Sequence, residues 1–583
     1  MKEQEENKLK LLSISVSNYR NIDGIIVNLD REINYIIGEN NIGKSNFLIL
    51  LEKICNGWSF EEQDFVDTEK PIEVQIKIQL LPSEQGFFGD NFSAEDSSTI
   101  NIKYLQGISD AHPDIICTDT NESIQVKQIK KLHFLKYDTN SVPSKELKLD
   151  TQKGAGSLVG NIIDRFIENS ADKSEFLNKG NIDELITYIN SHLSKIKAFC
   201  DYDIKAVVSP KPTEMLSRLF YLSDDKRKID LTGSGVQFMA MASINILCQI
   251  MDIYKSKATP FIEQIFVTED GKKILPLILS IDEPEVHLHP FLQRSLIEYY
   301  KKILSNRDND FVDLLRMCFG IDGINGQLII VTHSTDALMD SYKNIIRFYK
   351  TEGVVKTISG SSLQLTDANE KHLLMRFPEI KEAFYSHCAI LIEGETEFGC
   401  MYSFAETLGI SLNEYGISII NAGGENSIKP LKRLLAAFGI PSVSIYDKDV
   451  KQGVTPDDDE FFTTEMCFEI EVVKNLYSNH RADLVKQIAL DLDSNAEQVE
   501  LDANFVRKGF AKCQADISTY IPKKLSDVLD TNESEFCTMY SSWFIAKKSV
   551  LLGRIVGTSL SAELIPSCYK DAIIKAKEVA SNA

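Results

Sequence analysis

Residues Gly38 to Ser45 read GENNIGKS, and this stretch decides the fold. It fits Gly-x-x-x-x-Gly-Lys-Ser, in which the glycines let backbone N–H groups wrap phosphates, the lysine reaches the β and γ phosphates, and the serine hydroxyl binds Mg2+. Ahead of it, Asn28 to Ile37 runs through Tyr-Ile-Ile as a strand; after it, Ile42, Phe47, Leu48, Leu51 and Ile54 have helical spacing. A strand, a glycine-rich turn and a helix in that order open a nucleotide-binding βαβ unit. Gly38, Asn41, Gly43, Lys44 and Ser45 are therefore assigned to ATP, with Ser45 also on the metal.

Such a site needs a second half, an apolar strand ending in acid, and ILPLILSIDE from Ile274 to Glu283 supplies it. Asp282 is expected to hold the metal shell and Glu283 to polarise the attacking water. LIIVTHSTDAL follows, a strand ending near His333, which is placed as a hydrogen-bonding sensor of the γ-phosphate. Together with EPEVHLHP these segments resemble the ABC/SMC-like ATPases, in the branch that includes the OLD (overcoming lysogenisation defect) proteins. The resemblance implies a head-to-head dimer in which a signature segment of one subunit caps the ATP of the other. LTGSGVQ, Leu231 to Gln237, is similar to that signature, with Ser234 and Gly235 as ATP contacts, but it does not open Leu-Ser-Gly-Gly. Slow hydrolysis, with ATP as a regulator, is expected from that departure. His287 and His289 lack a third ligand nearby and are expected to pack rather than bind metal.

Further along, HCAILI ends in Glu393-Gly394-Glu395-Thr396-Glu397, GISIIN is followed by Gly423-Gly424, and SVSIY ends in Asp447-Lys448-Asp449. In an open α/β sheet chemistry gathers at the carboxyl ends of parallel strands, where these acids would lie. The arrangement resembles the Toprim domain of topoisomerases, primases and OLD nucleases, over about Tyr385 to Val473. That likeness implies divalent metal, with Glu397, Asp447 and Asp449 as ligands and Glu393 as ligand or acid/base. Hard oxygen donors suit Mg2+ or Mn2+. MCFEIEVV brings Glu469 and Glu471 together on one strand face or at a helix start, as candidates for a second metal. The OLD pattern also carries a lysine before a C-terminal apolar helix that steadies the transition state, and FIAKKSVLLGRIV offers Lys547, taken first, or Lys548.

At 583 residues the chain exceeds one core, and 43% hydrophobic with 25% charged residues is an ordinary globular composition. The polar start MKEQEENKLK and the lack of a long apolar run argue for a cytoplasmic protein with no membrane partner. Eleven cysteines with no CxxC exclude zinc-finger spacing. A net charge of −22 opposes DNA on average, so KQIKKLHFLK, Lys127 to Lys136, is the candidate local patch.

The expected architecture is multidomain α/β. An ABC-type ATPase takes residues 1–82 and 211–384; a partly helical insertion at 83–210 has dimerisation as its candidate role; a Toprim, Rossmann-like domain with a helical extension takes 385–583. The function implied by resemblance is an ATP-regulated, metal-dependent DNA endonuclease, acting as a homodimer or higher oligomer. Its relatives include the Gabija nuclease subunit and retron-associated effectors, which implies anti-phage defence and a partner helicase or a retron reverse transcriptase with its nucleic acid. The rival is a non-catalytic SMC-like DNA clamp, disfavoured because the chain between Ser45 and Leu231 shows no sustained heptads. A transporter subunit would leave the acidic site without a use. A topoisomerase would need a tyrosine module and a primase a zinc element.

Overall fold

The computed structural model describes residues 10–80, 88–89, 91, 96–137, 147–149, 154–169, 179–208, 220–224, 227–256, 259–286, 288–364, 377–448 and 457–582. The chain divides into two compact units, Met1–Ser362 and Leu363–Ala583.

In the first unit Ile72–Gln79 alternates strictly, and its Ile72, Val74, Ile76 and Ile78 all point inward. That half-buried pattern places it in an antiparallel sheet, ordered Ile26–Asn28, Lys10–Ser17, Ile72–Gln79, Thr99–Gln106, Asp114–Cys117. The strands Ile33–Ile37, Lys273–Asp282 and Gly323–Val331 are almost continuously buried, as parallel strands covered on both faces must be. Gly323–Val331 lies between the other two, all three parallel, and Ile345–Thr351 pairs in parallel with the far side of Ile33–Ile37. Helix Lys44–Asn56 joins the two sheets in one core: its Phe47, Leu48, Leu51 and Ile54 cluster with Ile14 and Ile76 of one sheet and Ile329 and Val331 of the other.

Much of residues 83–210 builds sheet as well as helix. Thr99–Gln106 and Asp114–Cys117 extend the antiparallel sheet, and Phe134–Tyr137 pairs in parallel with Lys273–Asp282. The alternation in TINIKYLQ is the local cause. Helices Gly154–Asn169 and Lys179–Leu193 follow. Of the lysines of 127–136, Lys127 and Lys130 are exposed, Lys131 is half-buried and feels the charge of Lys127, and Lys136 sits in a sheet strand.

Among the described residues one helix, Gly235–Tyr254, is long and apolar enough to cross a membrane. Counting only unbroken apolar runs overlooks it, because Gln237, Ser243, Asn245 and Gln249 interrupt it. Those polar side chains bond within the fold, Ser243 donating to the Met239 carbonyl and Gln249 to the Lys136 carbonyl, while Tyr299 and Tyr300 donate to the backbone carbonyls of Ser243 and Ala242. Such bonds are those of a core helix.

The second unit holds a four-stranded, all-parallel sheet ordered Ile417–Asn421, Cys388–Ile392, Ser442–Tyr446, Glu460–Phe462. The chain leaves Cys388–Ile392 toward one neighbour and later crosses back to the other. This topological switch opens a crevice at the carboxyl ends of Cys388–Ile392 and Ser442–Tyr446. Helix Glu395–Thr407 follows the first strand and packs along helix Val550–Ser559.

Glycines make that crossing close. A Cβ at Gly399 would stand 2.9 Å from the Arg554 nitrogen, one at Gly553 would stand 3.0 Å from the Gly399 Cα, and one at Gly557 would stand 3.0 Å from the Cys400 Cα. These are backbone atoms that cannot swing aside, so Gly553→Ala is expected to force the helices apart. We expect a loss of about 1–3 kcal/mol, the usual cost of overpacking, read as a lowered urea midpoint; an unchanged midpoint would mean that the crossing has slack.

Candidate functional site

In the first unit the phosphate loop stands ready for an anion. The amino end of helix Lys44–Asn56 has no side-chain cap, so its first N–H groups lack intrahelical partners and point at the loop. Gly43 takes φ 113 and Gly38 φ 144, both left-handed. A side chain at Gly38 would run into the Phe348 carbonyl, so glycine is required there. Asn41 also lies in the left-handed region, at φ 60. The Lys44 ammonium is buried and donates to the carbonyls of Gly38 at 2.9 Å and Glu39 at 2.5 Å. Burial pushes its pKa down to about 8, against the pull of Glu283 and Asp282.

Asp282 ends the strand Lys273–Asp282 and accepts a hydrogen bond from Ser45, and burial raises its pKa. Glu283 follows at φ 52, a strained conformation for a side chain of that size. The His333 Nε2 lies 3.8 Å from Glu283 Oε1, and burial lowers the His333 pKa. Lys44, Ser45, Asp282, Glu283 and His333 are thus brought together. Glu285, not singled out from sequence, organises the group: it accepts from the Thr332 hydroxyl at 2.8 Å and the His333 amide at 2.6 Å. Its signal was the repeated acid in Asp-Glu-Pro-Glu. Gly235 lies in the first turn of helix Ser234–Tyr254, and the Gln237 side chain closes its entry by donating to the Thr232 carbonyl. His289 caps helix Pro290–Leu304 by accepting from the Phe291 amide; His287 lies outside the described residues.

In the second unit the acids meet in the crevice. Glu393 follows the strand Cys388–Ile392, and its Oε1 accepts from the Asp447 amide at 3.1 Å. Glu397 sits buried in the first turn of helix Glu395–Thr407, where the helix dipole favours its charge. Asp447 is 7% exposed, and among the described residues its Oδ1 has no hydrogen-bond partner. Burial, with Glu469 and Glu393 nearby, holds the Glu397 carboxyl well above its usual pKa. Burial, with Glu397 and Glu393, does the same for Asp447.

Glu469 and Glu471 start helix Phe468–Ser478, and two residues apart on a helix they diverge. Glu469 is 1% exposed and belongs to the cluster. Its Oε2 lies 2.9 Å from the Lys548 ammonium, and among the described residues neither oxygen meets another donor. Glu471 turns to its own loop, accepting from the Thr464 hydroxyl and, at 2.7 Å, the Glu465 amide. The two lysines also part company. Lys547 ends helix Glu533–Ala546, lies over the Trp543 ring and pairs with Asp493 at 3.4 Å, whereas Lys548 reaches the acids. Asp449 lies outside the described residues. Lys512, at the end of helix Ala503–Lys512, lowers the Asp447 pKa from a position that no local motif marks.

The donors fit a divalent cation. Buried carboxylate oxygens without hydrogen-bond donors, crowded enough to repel one another, lack what a hard cation supplies. Among the described residues no three His, Cys, Asp or Glu already stand as a closed cage.

Residues 384–449 match the family model described as overcoming lysogenization defect protein-like, TOPRIM domain, and residues 9–230 and 144–337 match that of the AAA ATPase domain. The chain belongs to the AAA ATPase domain family, whose model spans more than half of it, and it carries an OLD-like TOPRIM segment. The chain is 24% identical over 495 residues to the Old nuclease of Escherichia phage P2, covering 76% of this chain and 77% of that one. It is 25% identical over 203 residues to the endonuclease GajA of Bacillus cereus (strain HuB5-5), covering 31% of this chain and 27% of that one. The solved C-terminal region of the Xanthomonas campestris pv. campestris OLD protein is 17% identical, with a TM-score of 0.23 over 34% of this chain and 96% of that one. An ATPase unit and a Toprim unit in one α/β chain is thus the architecture expected from sequence.

Proposed function

We propose that this OLD-like chain is an ATP-binding, divalent-metal-dependent DNA endonuclease. One observation carries the reading: Glu393, Glu397, Asp447 and Glu469, separated by up to seventy-six positions, converge at the switch-point crevice. In the reading, Glu397, Asp447 and Asp449 hold the metal, Glu469 faces a second one, and Glu393 is a ligand or acid/base. Glu471 stays a weaker candidate ligand because its oxygens serve the 464–465 turn. Of the two lysines, the 2.9 Å contact with Glu469 favours Lys548 over Lys547. Bound metal, Mg2+ or Mn2+, would supply an activated water and neutralise charge growing on the scissile phosphate. The chain's own part is to hold those largely buried carboxylates together and to bring an ammonium beside them.

In the first unit Gly38, Asn41, Gly43, Lys44 and Ser45 take the phosphates, Asp282 and Ser45 the metal, Glu283 and His333 the γ-phosphate end. Ser234 and Gly235 act on ATP across a homodimer or higher oligomer. ATP would regulate cleavage more than drive it. The domain division proposed with this reading is 1–82 and 211–384 for the ATPase, 83–210 for the insertion and 385–583 for the Toprim domain. The reading includes a role in bacterial anti-phage defence in the cytoplasm, implied by the resemblance to OLD proteins, with a helicase or a retron reverse transcriptase as candidate partner.

The test is supercoiled plasmid incubated with Mg2+ or Mn2+, with and without ATP, using wild type and an Asp447→Ala, Asp449→Ala variant. Metal-dependent nicking by the wild type alone is the expected result, and the ATP arm reads the sign of regulation. Equal cutting by both proteins would place the nuclease elsewhere.

A further inference from the structure

Glu469 poses a chemical problem that the motif reading does not address. A carboxylate 1% exposed, taken out of water, needs a counter-charge close by. Among the described residues the cation at its oxygens is the Lys548 ammonium, 2.9 Å from Oε2. The side chain of Lys548 is only half covered, at 46% exposure, so solvent lies at its other side.

The backbone fixes where that ammonium starts from. Lys548 immediately precedes Ser549, whose side chain caps helix Val550–Ser559 by accepting from the Leu552 amide at 3.2 Å. That helix is held against the helix of Glu397 by the glycine crossing at Gly399, Gly553 and Gly557. The neighbouring Lys547 is tied separately to Asp493 and to the Trp543 ring, so the two lysines cannot exchange roles without unwinding the turn between helices.

We propose that Lys548 is a built-in stand-in for the second divalent cation: its ammonium occupies the Glu469 side of the crevice in the metal-free protein, and metal entering there displaces it toward solvent. The inference rests on the metal-dependent reading above. Two cations on one buried carboxylate repel each other, so metal binding at Glu469 and the Lys548–Glu469 ion pair weaken each other. Displacement then links two events: the second metal arrives, and an ammonium is released at the crevice mouth, where a DNA phosphate would meet it. Until then the paired lysine restrains the site from taking a second ion.

Two measurements test this on the full-length protein. In the first, Mn2+ is titrated against wild type, Lys548→Met and Lys548→Arg, with free Mn2+ read by electron paramagnetic resonance. Removing the competing ammonium is expected to tighten the weaker Mn2+ site about tenfold, while Lys548→Arg, which keeps a cation over Glu469, binds as wild type does. Unchanged or weaker Mn2+ binding in Lys548→Met overturns the proposal while leaving the metal reading intact. No Mn2+ binding in any of the three proteins overturns both.

The second measurement needs no variant. Wild-type protein is acylated by a limiting amine reagent with and without saturating Mn2+, and the modified lysines are quantified by mass spectrometry. Lys548 is expected to react several-fold faster once Mn2+ frees it, with Lys547 at constant rate as the internal reference. Equal or slower Lys548 acylation with Mn2+ overturns the displacement.

Discussion

Asp447→Asn is expected to lower metal-dependent plasmid nicking by at least about a hundredfold and, in the same protein, to leave the metal-free fold as stable as wild type or more so. The two outcomes come from one cause. Asp447 is buried at a strand end beside Glu393 and Glu397, and its carboxyl is held well above the usual range by burial and by those neighbours. A carboxyl whose folded pKa is raised binds its proton more tightly folded than unfolded. Its stabilising contribution is present below the unfolded value, about 4, and is lost as pH rises from there through the folded value. Metal-free wild type should therefore melt at a lower temperature at pH 8 than at pH 5, and excess divalent ion at pH 8 should restore it.

The asparagine variant carries no charge to bury, so its melting temperature should fall less between those pH values and gain less from metal. Melting curves at the two pH values, with and without Mn2+, read all of this. A variant that is both inactive and markedly less stable without metal would show that Asp447 is an internal fold contact rather than a strained site residue.

Lys44→Ala is expected to weaken ATP binding by about a hundredfold or more, the usual cost of truncating one side of a buried charged contact, about 2–5 kcal/mol. In the free protein the ammonium rests on the carbonyls of Gly38 and Glu39, and burial has pushed its pKa down to about 8. A polyphosphate favours the charged form, so binding must raise that pKa and take up a proton near pH 8. The sign follows directly: affinity is at its plateau below pH 8 and declines above it, by up to about tenfold per pH unit. Calorimetry in two buffers of different ionisation heat would detect the proton uptake in wild type, and it should vanish in Lys44→Ala. Proton release, or affinity flat to pH 9, would mean that the ammonium is not the group meeting the phosphate.

Some structural facts were plain in the residues because they are local. GENNIGKS between an apolar strand and a helix is a contiguous motif, and its glycines at Gly38 and Gly43 are there for their backbone angles. The strand SVSIY runs from Ser442 to Tyr446, as its composition indicates. Strand-terminal acids such as Asp282, Glu393 and Asp447 are legible for the same reason: a period of two or an unbroken apolar run ends where solvent or a site begins.

Other features escape local pattern. TINIKYLQ alternates as a strand should, yet nothing in it says which sheet it joins. Glu469 and Glu471 are chemically identical neighbours in sequence, and only the helix they start sends one to the acids and the other to Thr464. Lys547 and Lys548 likewise differ only in what the turn between two helices puts opposite each, Asp493 or Glu469. By itself, then, the sequence determined the nucleotide loop, the strand-end acids and the succession of an ATPase and a Toprim unit, because each is written in contiguous residues and short-range backbone preference. Only the tertiary structure decided which carboxylates share a crevice, which lysine neutralises them and how closely Gly399 and Gly553 let two helices approach, because those outcomes depend on contacts between segments far apart in the chain.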